Sequence, residues 1–243
     1  MKINYSMLIL ALGLTFNCLA SNTDNFDEFK YGIENSGSTI TIHFNAGESH
    51  NHPLYAIWLA DEHGKYIQTL YVAESIGKGV FKRSNRKAEK WEKGEKQRVA
   101  ALPYWAHQRS IKNEYGTYNP TPRQPVPDAY TGATPTGSFS IHAKTEKVLK
   151  GKYKILLEVN QPWDWNEFWT NNLYPDNSEY KTSSQPALIY EAEFDTDNLM
   201  PIYFMKPIGH SHYAGENGLL FTDLSTITTA LNIAKSINIL ISK

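Results

Sequence analysis

The stretch that decides the fold is 54-LYAIWLADEHGKYIQTLYVA-73. Two runs rich in β-branched and aromatic residues, at 54–60 and 66–73, flank the turn Asp61-Glu62-His63-Gly64. Such runs are typical of strands, and Gly64 can adopt the positive φ angle that a tight turn requires. We therefore predict a β-hairpin whose two strands lie side by side.

Further strands are predicted on both sides of this hairpin. In 39-TITIHF-44 the residues Ile40, Ile42 and Phe44 alternate with polar ones, which puts them on one face of a strand. Similar segments occur at 98–102, 137–142, 152–159, 187–194 and 201–205, with Pro and Gly between them. Short strands separated by turn residues predict a mainly β chain, folded as an antiparallel, immunoglobulin-like β-sandwich.

The last part of the chain has a different periodicity. After Thr222 and Asp223, apolar residues recur at steps of three or four: Leu224, Ile227, Leu231, Ala234, Ile237 and Ile241. This spacing predicts an amphipathic C-terminal helix with Thr222 or Asp223 as its N-cap. Such a helix would cover an open edge or face of the sandwich.

The first 20 residues predict a cleaved secretory signal and therefore a periplasmic protein. Lys2 supplies a positive charge, residues 7–16 form an apolar run too short to span a bilayer, and Cys18-Leu19-Ala20 resembles a cleavage site. A lipoprotein is disfavoured, because 15-TFN-17 lacks the small residue expected beside a lipidated cysteine. Cleavage after Ala20 would leave no cysteine, which excludes disulfides and thiolate chemistry from the mature chain.

Behind the signal we expect a polar segment at 21–37 and one β-sandwich domain with its C-terminal helix at 38–243. A chain of 243 residues with 41% hydrophobic content can bury a sizeable core. The net charge of −1 gives no indication of nucleic-acid binding. No later segment approaches the ~20 apolar residues of a transmembrane span.

The stretch that suggests a chemistry is 128-DAYTGAT-134. Four prolines precede it between residues 120 and 127 and Pro135 follows it, so helix is disfavoured on both sides and a stiff, extended loop is expected. Gly132 and Ala133 carry little side-chain bulk, which would allow an enzyme close to the Thr134 hydroxyl. Asp128 adds a fixed negative charge.

This stretch resembles the flavinylation signature of extracytoplasmic bacterial proteins, which runs Asp, two free residues, Ser or Thr, Gly, Ala, then Ser or Thr. In those proteins an FAD:protein FMN transferase attaches FMN to the final hydroxyl through a phosphoester. Carried over by position, Thr134 is the acceptor, Thr131, Gly132 and Ala133 form the recognition turn, and Asp128 is the acidic recognition residue. The match has no departures.

Three other features of the sequence are also candidates for a functional role. Eight basic residues between Lys82 and Arg98 are diluted by glutamates, which is typical of a solvated loop or short surface helix. The alternative for this segment is contact with a flavin phosphate, an anionic partner or a membrane surface. The pairs His50/His52 and His210/His212 have the spacing of metal ligands but lack a third ligand nearby. The aromatic segment 163-WDWNEFW-169 could be a core plug, or a loop that stacks on a sugar or a flavin.

Residues 54–70, 128–139 and 150–159 together resemble a family of predicted periplasmic bacterial proteins classed as a domain of unknown function, whose genes accompany FMN transferases. The resemblance implies a periplasmic protein that carries covalent FMN. We expect such a protein to pass electrons between partner proteins, none of which the sequence identifies, or to a small acceptor. Tyr130, the tryptophans of 163–169 and His210 or His212 are the candidates to shield the flavin. The alternative is a non-enzymatic binding module that uses its aromatic loop to bind a glycan or a protein.

Overall fold

A computed structural model of the chain describes residues 26–87 and 90–242. The predicted signal peptide and the beginning of the polar segment lie outside these residues. Three short helices are present in the described part: α1 (Glu74–Lys78), α2 (Pro103–Gln108) and α3 (Tyr180–Ser183). The strands there are β1 (Asp27–Tyr31), β2 (Thr39–Ala46), β3 (Leu54–Asp61), β4 (Tyr66–Ala73), β5 (Val80–Lys87), β6 (Lys90–Glu95), β7 (Thr131–Gly132), β8 (Phe139–Lys144), β9 (Lys152–Asn160), β10 (Leu188–Asp195), β11 (Tyr203–Phe204), β12 (Lys206–His210) and β13 (Ala234–Ser242).

The strands form two main sheets that pack as a sandwich. The first sheet has the order β1-β8-β2-β13-β11, and the second has the order β12-β10-β9-β3-β4-β7. Neighbouring strands are antiparallel, except that β1 runs parallel to β8 and β7 runs parallel to β4. The prediction of a mainly β, largely antiparallel sandwich is therefore confirmed.

The core between the sheets follows from the alternation of each strand. Ile40, Ile42 and Phe44 of β2 are fully buried and face Ile155 and Leu157 of β9 across the sandwich. The predicted hairpin is β3–β4, and Gly64 in its turn has a φ of +84°. The apolar residues that alternate in the sequence of β2 are thus the ones buried between the two sheets.

The second sheet is also covered on its outer face. Ala56, Trp58 and Leu156 point away from the sandwich core and pack against Leu102 and Trp105, in and beside α2. Both faces of β3 are therefore buried, which explains why its sequence is almost entirely apolar. Residues 98–102, predicted as a strand, instead form the turn that leads into α2.

The predicted C-terminal helix is wrong. Residues 234–242 form β13, which pairs with β2 in the middle of the first sheet. Ile237 and Ile239 point into the core and alternate with Ser236 and Asn238, so the segment also satisfies the period of a strand. β-Branched isoleucines favour a strand over a helix where both periods fit. The part before β13 consists of turns and a short 3₁₀ helix, Thr229–Asn232.

Two further elements differ from the sequence prediction. The basic segment forms a separate two-stranded ribbon, β5–β6, and not a loop or helix. Part of the predicted polar N-terminal segment is β1, which pairs with β8. In the described residues, none of the helices has the length and apolar composition needed to cross a membrane.

Candidate functional site

The predicted flavinylation loop lies at one edge of the second sheet. Residues 128–130 form a single 3₁₀ turn, so the loop is not extended throughout as predicted. Thr131 and Gly132 then form β7, whose partners are Val72 and Ala73 of β4. The short strand carries the loop to the end of the core, where Pro135 is buried.

Backbone and side-chain hydrogen bonds hold the loop from several sides. The Val126 N–H donates to the Gly77 carbonyl at 2.7 Å, and the Tyr71 hydroxyl donates to the Ala133 carbonyl at 3.1 Å. The Tyr130 hydroxyl accepts a hydrogen bond from the Asn35 amide at 3.1 Å. The backbone of residues 126–133 is therefore anchored to two different parts of the fold.

Gly132 is required by the packing of Tyr31. A Cβ atom built on Gly132 would lie 1.9 Å from the Tyr31 hydroxyl oxygen, which no real pair of atoms tolerates. Tyr31 is buried, its ring lies 5.0 Å from that of Tyr71, and burial raises the pKa of its hydroxyl to about 12. The sequence suggested that Gly132 leaves space for an enzyme, whereas the protein's own tyrosine fills that space.

Asp128 is oriented by a lysine that lies outside the sequence motif. The Lys78 ammonium at the end of α1 contacts the Asp128 carboxylate, and it also donates to the Val126 carbonyl at 3.4 Å. The Asp128 side chain is 90% exposed, so this ion pair adds little stability. The carboxylate faces solvent and is accessible to another protein.

Thr134 is half-buried and follows the exposed Ala133. Within residues 26–87 and 90–242 its hydroxyl makes no hydrogen bond to the protein. Tyr130 and Thr131, the other predicted site residues, are also half-buried. The loop therefore combines a hydrogen-bonded backbone with a Thr134 hydroxyl that forms no hydrogen bond within the described residues.

The tryptophan segment is divided between structural and exposed side chains. Trp165 and Trp169 pack against the buried Tyr180, and the Trp169 indole N–H donates to Thr226 at 3.1 Å. Trp163 is 65% exposed and has a φ of +67°, while Phe168 is 46% exposed. Trp165 and Trp169 thus pack as the predicted core plug, whereas Trp163 and Phe168 do not.

Asn166 holds this segment in place. Its side-chain NH2 group shares its two hydrogens among three acceptors, which are the Gln185 side chain, the Thr226 carbonyl and the Thr228 hydroxyl, and its carbonyl accepts from the backbone N–H groups of Phe168 and Trp169.

Replacing Asn166 with alanine is expected to destabilise the fold by about 3 kcal/mol, because several half-buried partners lose their hydrogen bonds together. Urea unfolding of Asn166→Ala measures this loss. Asn172→Ala is the matched control, since Asn172 is exposed. Equal stability of the two variants would contradict the role given to Asn166.

His50 and His210, one from each histidine pair, make local contacts. His50 Nε2 lies 2.7 Å from the Tyr55 hydroxyl. Burial lowers the pKa of His50, and the nearby His52 lowers it further. His210 Nδ1 lies 2.8 Å from the Ser211 carbonyl, and burial lowers its pKa. In the part of the chain that the structure describes, no group of three His, Cys, Asp or Glu side chains is arranged to hold a metal ion.

The tryptophan segment and His210 lie far from the flavinylation loop. The Trp169 and His210 rings are 6.1 Å apart beside β12, whereas the loop adjoins β7, and these two strands form opposite edges of the second sheet. Strands lie about 4.8 Å apart, so five intervals separate the edges by about 24 Å. The prediction that these tryptophans and His210 or His212 shield a flavin on Thr134 is therefore wrong. Of the candidates named for this role, Tyr130 alone belongs to the loop.

A row of polar side chains crosses the outer face of the first sheet. The Thr41 hydroxyl lies 3.0 Å from His142 Nδ1, and His142 Nε2 lies 2.6 Å from a Glu28 carboxylate oxygen. Hydroxyl, imidazole and carboxylate are the groups of nucleophilic hydrolases. They stand here on an open sheet face, and the 410 Å³ cleft of the described structure is lined by other residues, including Tyr153 and Met200. The row acts as cross-strand pairing.

The fold and the loop define a β-sandwich protein with a hydrogen-bonded, partly exposed motif at one sheet edge. Comparisons with family models, with curated proteins and with solved structures found no match. The resemblance to the predicted periplasmic family therefore stays a prediction from sequence.

Proposed function

We propose that the protein is a periplasmic electron carrier that holds FMN covalently, through a phosphoester to the Thr134 hydroxyl. An FAD:protein FMN transferase would attach the group, and a redox partner protein would exchange electrons with it. The proposal rests on the Thr134 hydroxyl and on its lack of hydrogen bonds in the described structure. Thr134 ends a complete flavinylation signature, and its hydroxyl has no partner in the described structure, although the backbone before it is firmly anchored.

The residues of the loop fit this group. Asp128 is exposed, so a transferase can contact its carboxylate, and the exposed Ala133 leaves the approach to Thr134 open on that side. Gly132 holds the turn close to Tyr31, which gives the acceptor a defined position. The aromatic ring of Tyr130, fixed by Asn35, is available beside the attached group.

Attachment requires one bond to form and one to break. The Thr134 oxygen bonds to the phosphorus of the FMN half of FAD, the pyrophosphate bond breaks, AMP leaves, and the hydroxyl proton is released. Bound FMN would supply one- and two-electron chemistry, and the tether would keep it from diffusing away. The chain's own residues hold the loop, expose the carboxylate and present the hydroxyl.

Thr134→Val is expected to abolish flavin incorporation, because valine matches the shape of threonine without its nucleophilic oxygen. The mature protein would be co-produced with an FMN transferase, and flavin fluorescence would be read after denaturing electrophoresis. Thr134→Ser is the matched control, since it keeps a hydroxyl at the same position and should remain fluorescent. A fluorescent Thr134→Val protein would place the attachment elsewhere.

A second candidate function is a non-enzymatic binding module, favoured by the exposure of Trp163 and Phe168. Exposed aromatic rings of this kind stack on sugars and fill pockets of protein partners. The two functions differ in an observable property. A protein with covalent FMN is yellow and keeps its colour on denaturation, whereas a binding module is colourless.

A further inference from the structure

The ribbon β5–β6 is separate from both main sheets. It begins at Val80, after Gly79, and the Lys96 N–H donates to the Gly79 carbonyl at 3.0 Å where the second strand returns. The half-buried Phe81, covered by the Arg98 guanidinium at 5.0 Å, anchors its base to the layer outside the second sheet. The eight residues of β5 extend about 26 Å and the six of β6 about 20 Å, so the ribbon projects beyond its anchor.

The ribbon concentrates positive charge in a weakly acidic chain. Residues 80–96 contain seven Lys or Arg and three Glu, a net charge of +4. The whole chain has a net charge of −1, so the remainder carries −5. Five of these cations are exposed and, in the described structure, form no ion pair: Lys82, Arg83, Lys90, Lys93 and Lys96.

Two exposed aromatic residues accompany this charge. Trp91 is 58% exposed on β6, and Trp91, Lys93 and Glu95 share one face because their positions differ by two. Tyr115 is also 58% exposed, and its hydroxyl donates to Glu95 at 3.2 Å. Tryptophan and tyrosine beside lysines are the combination that favours the boundary between lipid headgroups and acyl chains.

We propose that this ribbon docks the protein on an anionic phospholipid surface. A stereospecific protein partner needs a shaped surface, whereas nearly all described side chains of β6 are exposed on a two-stranded ribbon. A fluid bilayer needs only spread positive charge and an aromatic residue that can enter the headgroup region. Charge complementarity and the exposed Trp91 thus favour lipid over an acidic protein.

The base of the ribbon lies next to the predicted flavinylation loop. Lys78, which contacts Asp128, lies two residues before β5, and Gly77 packs against Thr131. The predicted flavinylation loop would therefore lie beside the base of the ribbon that docks on the membrane. The docking itself does not depend on flavin, so it is tested on the unmodified mature chain.

Lipid binding would be measured by flotation with vesicles of equal parts phosphatidylglycerol and phosphatidylcholine, and with phosphatidylcholine alone. We expect salt-sensitive binding to the anionic vesicles only. Lys90→Glu with Lys93→Glu should weaken it at least tenfold, since each basic residue near the surface contributes about 1 kcal/mol. Trp91→Ser should also weaken binding. Lys150→Glu with Lys206→Glu is the matched control, because both lysines are exposed outside the ribbon.

Two results would overturn the proposal. The first is no binding to anionic vesicles, and if the protein then bound soluble poly-glutamate, the ribbon would be assigned to an acidic protein. The second is an equal loss in the control pair, which would show that net charge and not the ribbon is responsible. Unchanged thermal unfolding of the variants would show that each remains folded.

Discussion

Replacing Gly132 with alanine is expected to destabilise the protein by about 3 kcal/mol and to reduce flavin incorporation strongly. The new Cβ would lie 1.9 Å from the Tyr31 hydroxyl oxygen and 2.8 Å from the ring carbon that bears it. Tyr31 cannot move aside easily, because it is buried against Tyr71. Relief requires a shift of β7, which would break its pairing with β4.

Gly137→Ala is the matched control for this experiment, since a Cβ at Gly137 meets no atom within 4 Å. Urea unfolding would give both free energies, and co-production with a transferase would give both yields of flavin. Tyr31→Phe should partly rescue Gly132→Ala, because it removes the nearest atom but leaves the ring. If Gly132→Ala were as stable as Gly137→Ala, the packing described for the loop would be incorrect.

Glu158 is expected to make the protein less stable as the pH rises. Its carboxyl group is completely buried between β9 and α2, where its oxygens accept hydrogen bonds from the backbone N–H groups of Tyr104 at 3.1 Å and Trp105 at 2.7 Å. Burial raises its pKa from 4.5 to about 8, and the two N–H groups oppose that rise without cancelling it.

The sign of the pH effect follows from proton binding. Between about pH 4.5 and 8 the folded protein keeps the Glu158 proton and the unfolded chain does not. The stabilisation is therefore fully present below the unfolded pKa and is lost as the pH rises through 8. Integration gives a loss of about 3 kcal/mol in the free energy of unfolding between about pH 5.5 and 8.5.

Glu158→Gln isolates this effect, because glutamine does not titrate. The measured quantity is the difference in free energy of unfolding between wild type and Glu158→Gln across this pH range. The difference cancels the contributions of His50 and His210, whose lowered pKa values give the opposite slope. We expect the free energy of unfolding of the wild type, relative to that of Glu158→Gln, to fall as the pH rises. A constant difference would show that Glu158 is ionised throughout.

Most of the sandwich could be predicted because its strands alternate clearly. Ile40, Ile42 and Phe44 have only one face to bury, and a slip of one residue would expose all three. The C-terminal strand could not be predicted this way, since Ile237 and Ile241 satisfy both the helical period and that of a strand. Its place in the middle of a sheet is decided by β2, almost 200 residues earlier in the chain.

The candidate site was predictable only as a motif. Asp128–Thr134 stands in one continuous stretch, so its chemistry can be seen in the sequence. Its supports cannot, because Lys78 lies 50 residues before Asp128 and Tyr71 lies 62 residues before Ala133. Gly132 is an example. From the sequence, its missing side chain suggested access for an enzyme, whereas in the structure it makes room for Tyr31.

The most direct test of the proposed flavin attachment is peptide mass analysis of the mature protein co-produced with an FMN transferase that modifies a known substrate in the same cells. Trypsin releases residues 124–144 as one peptide that contains the whole motif. We predict that this peptide gains the mass of one FMN less one water, and that fragmentation assigns the gain to Thr134. An unmodified peptide, or a gain assigned to Thr131 or Thr136, would show that Thr134 does not carry FMN.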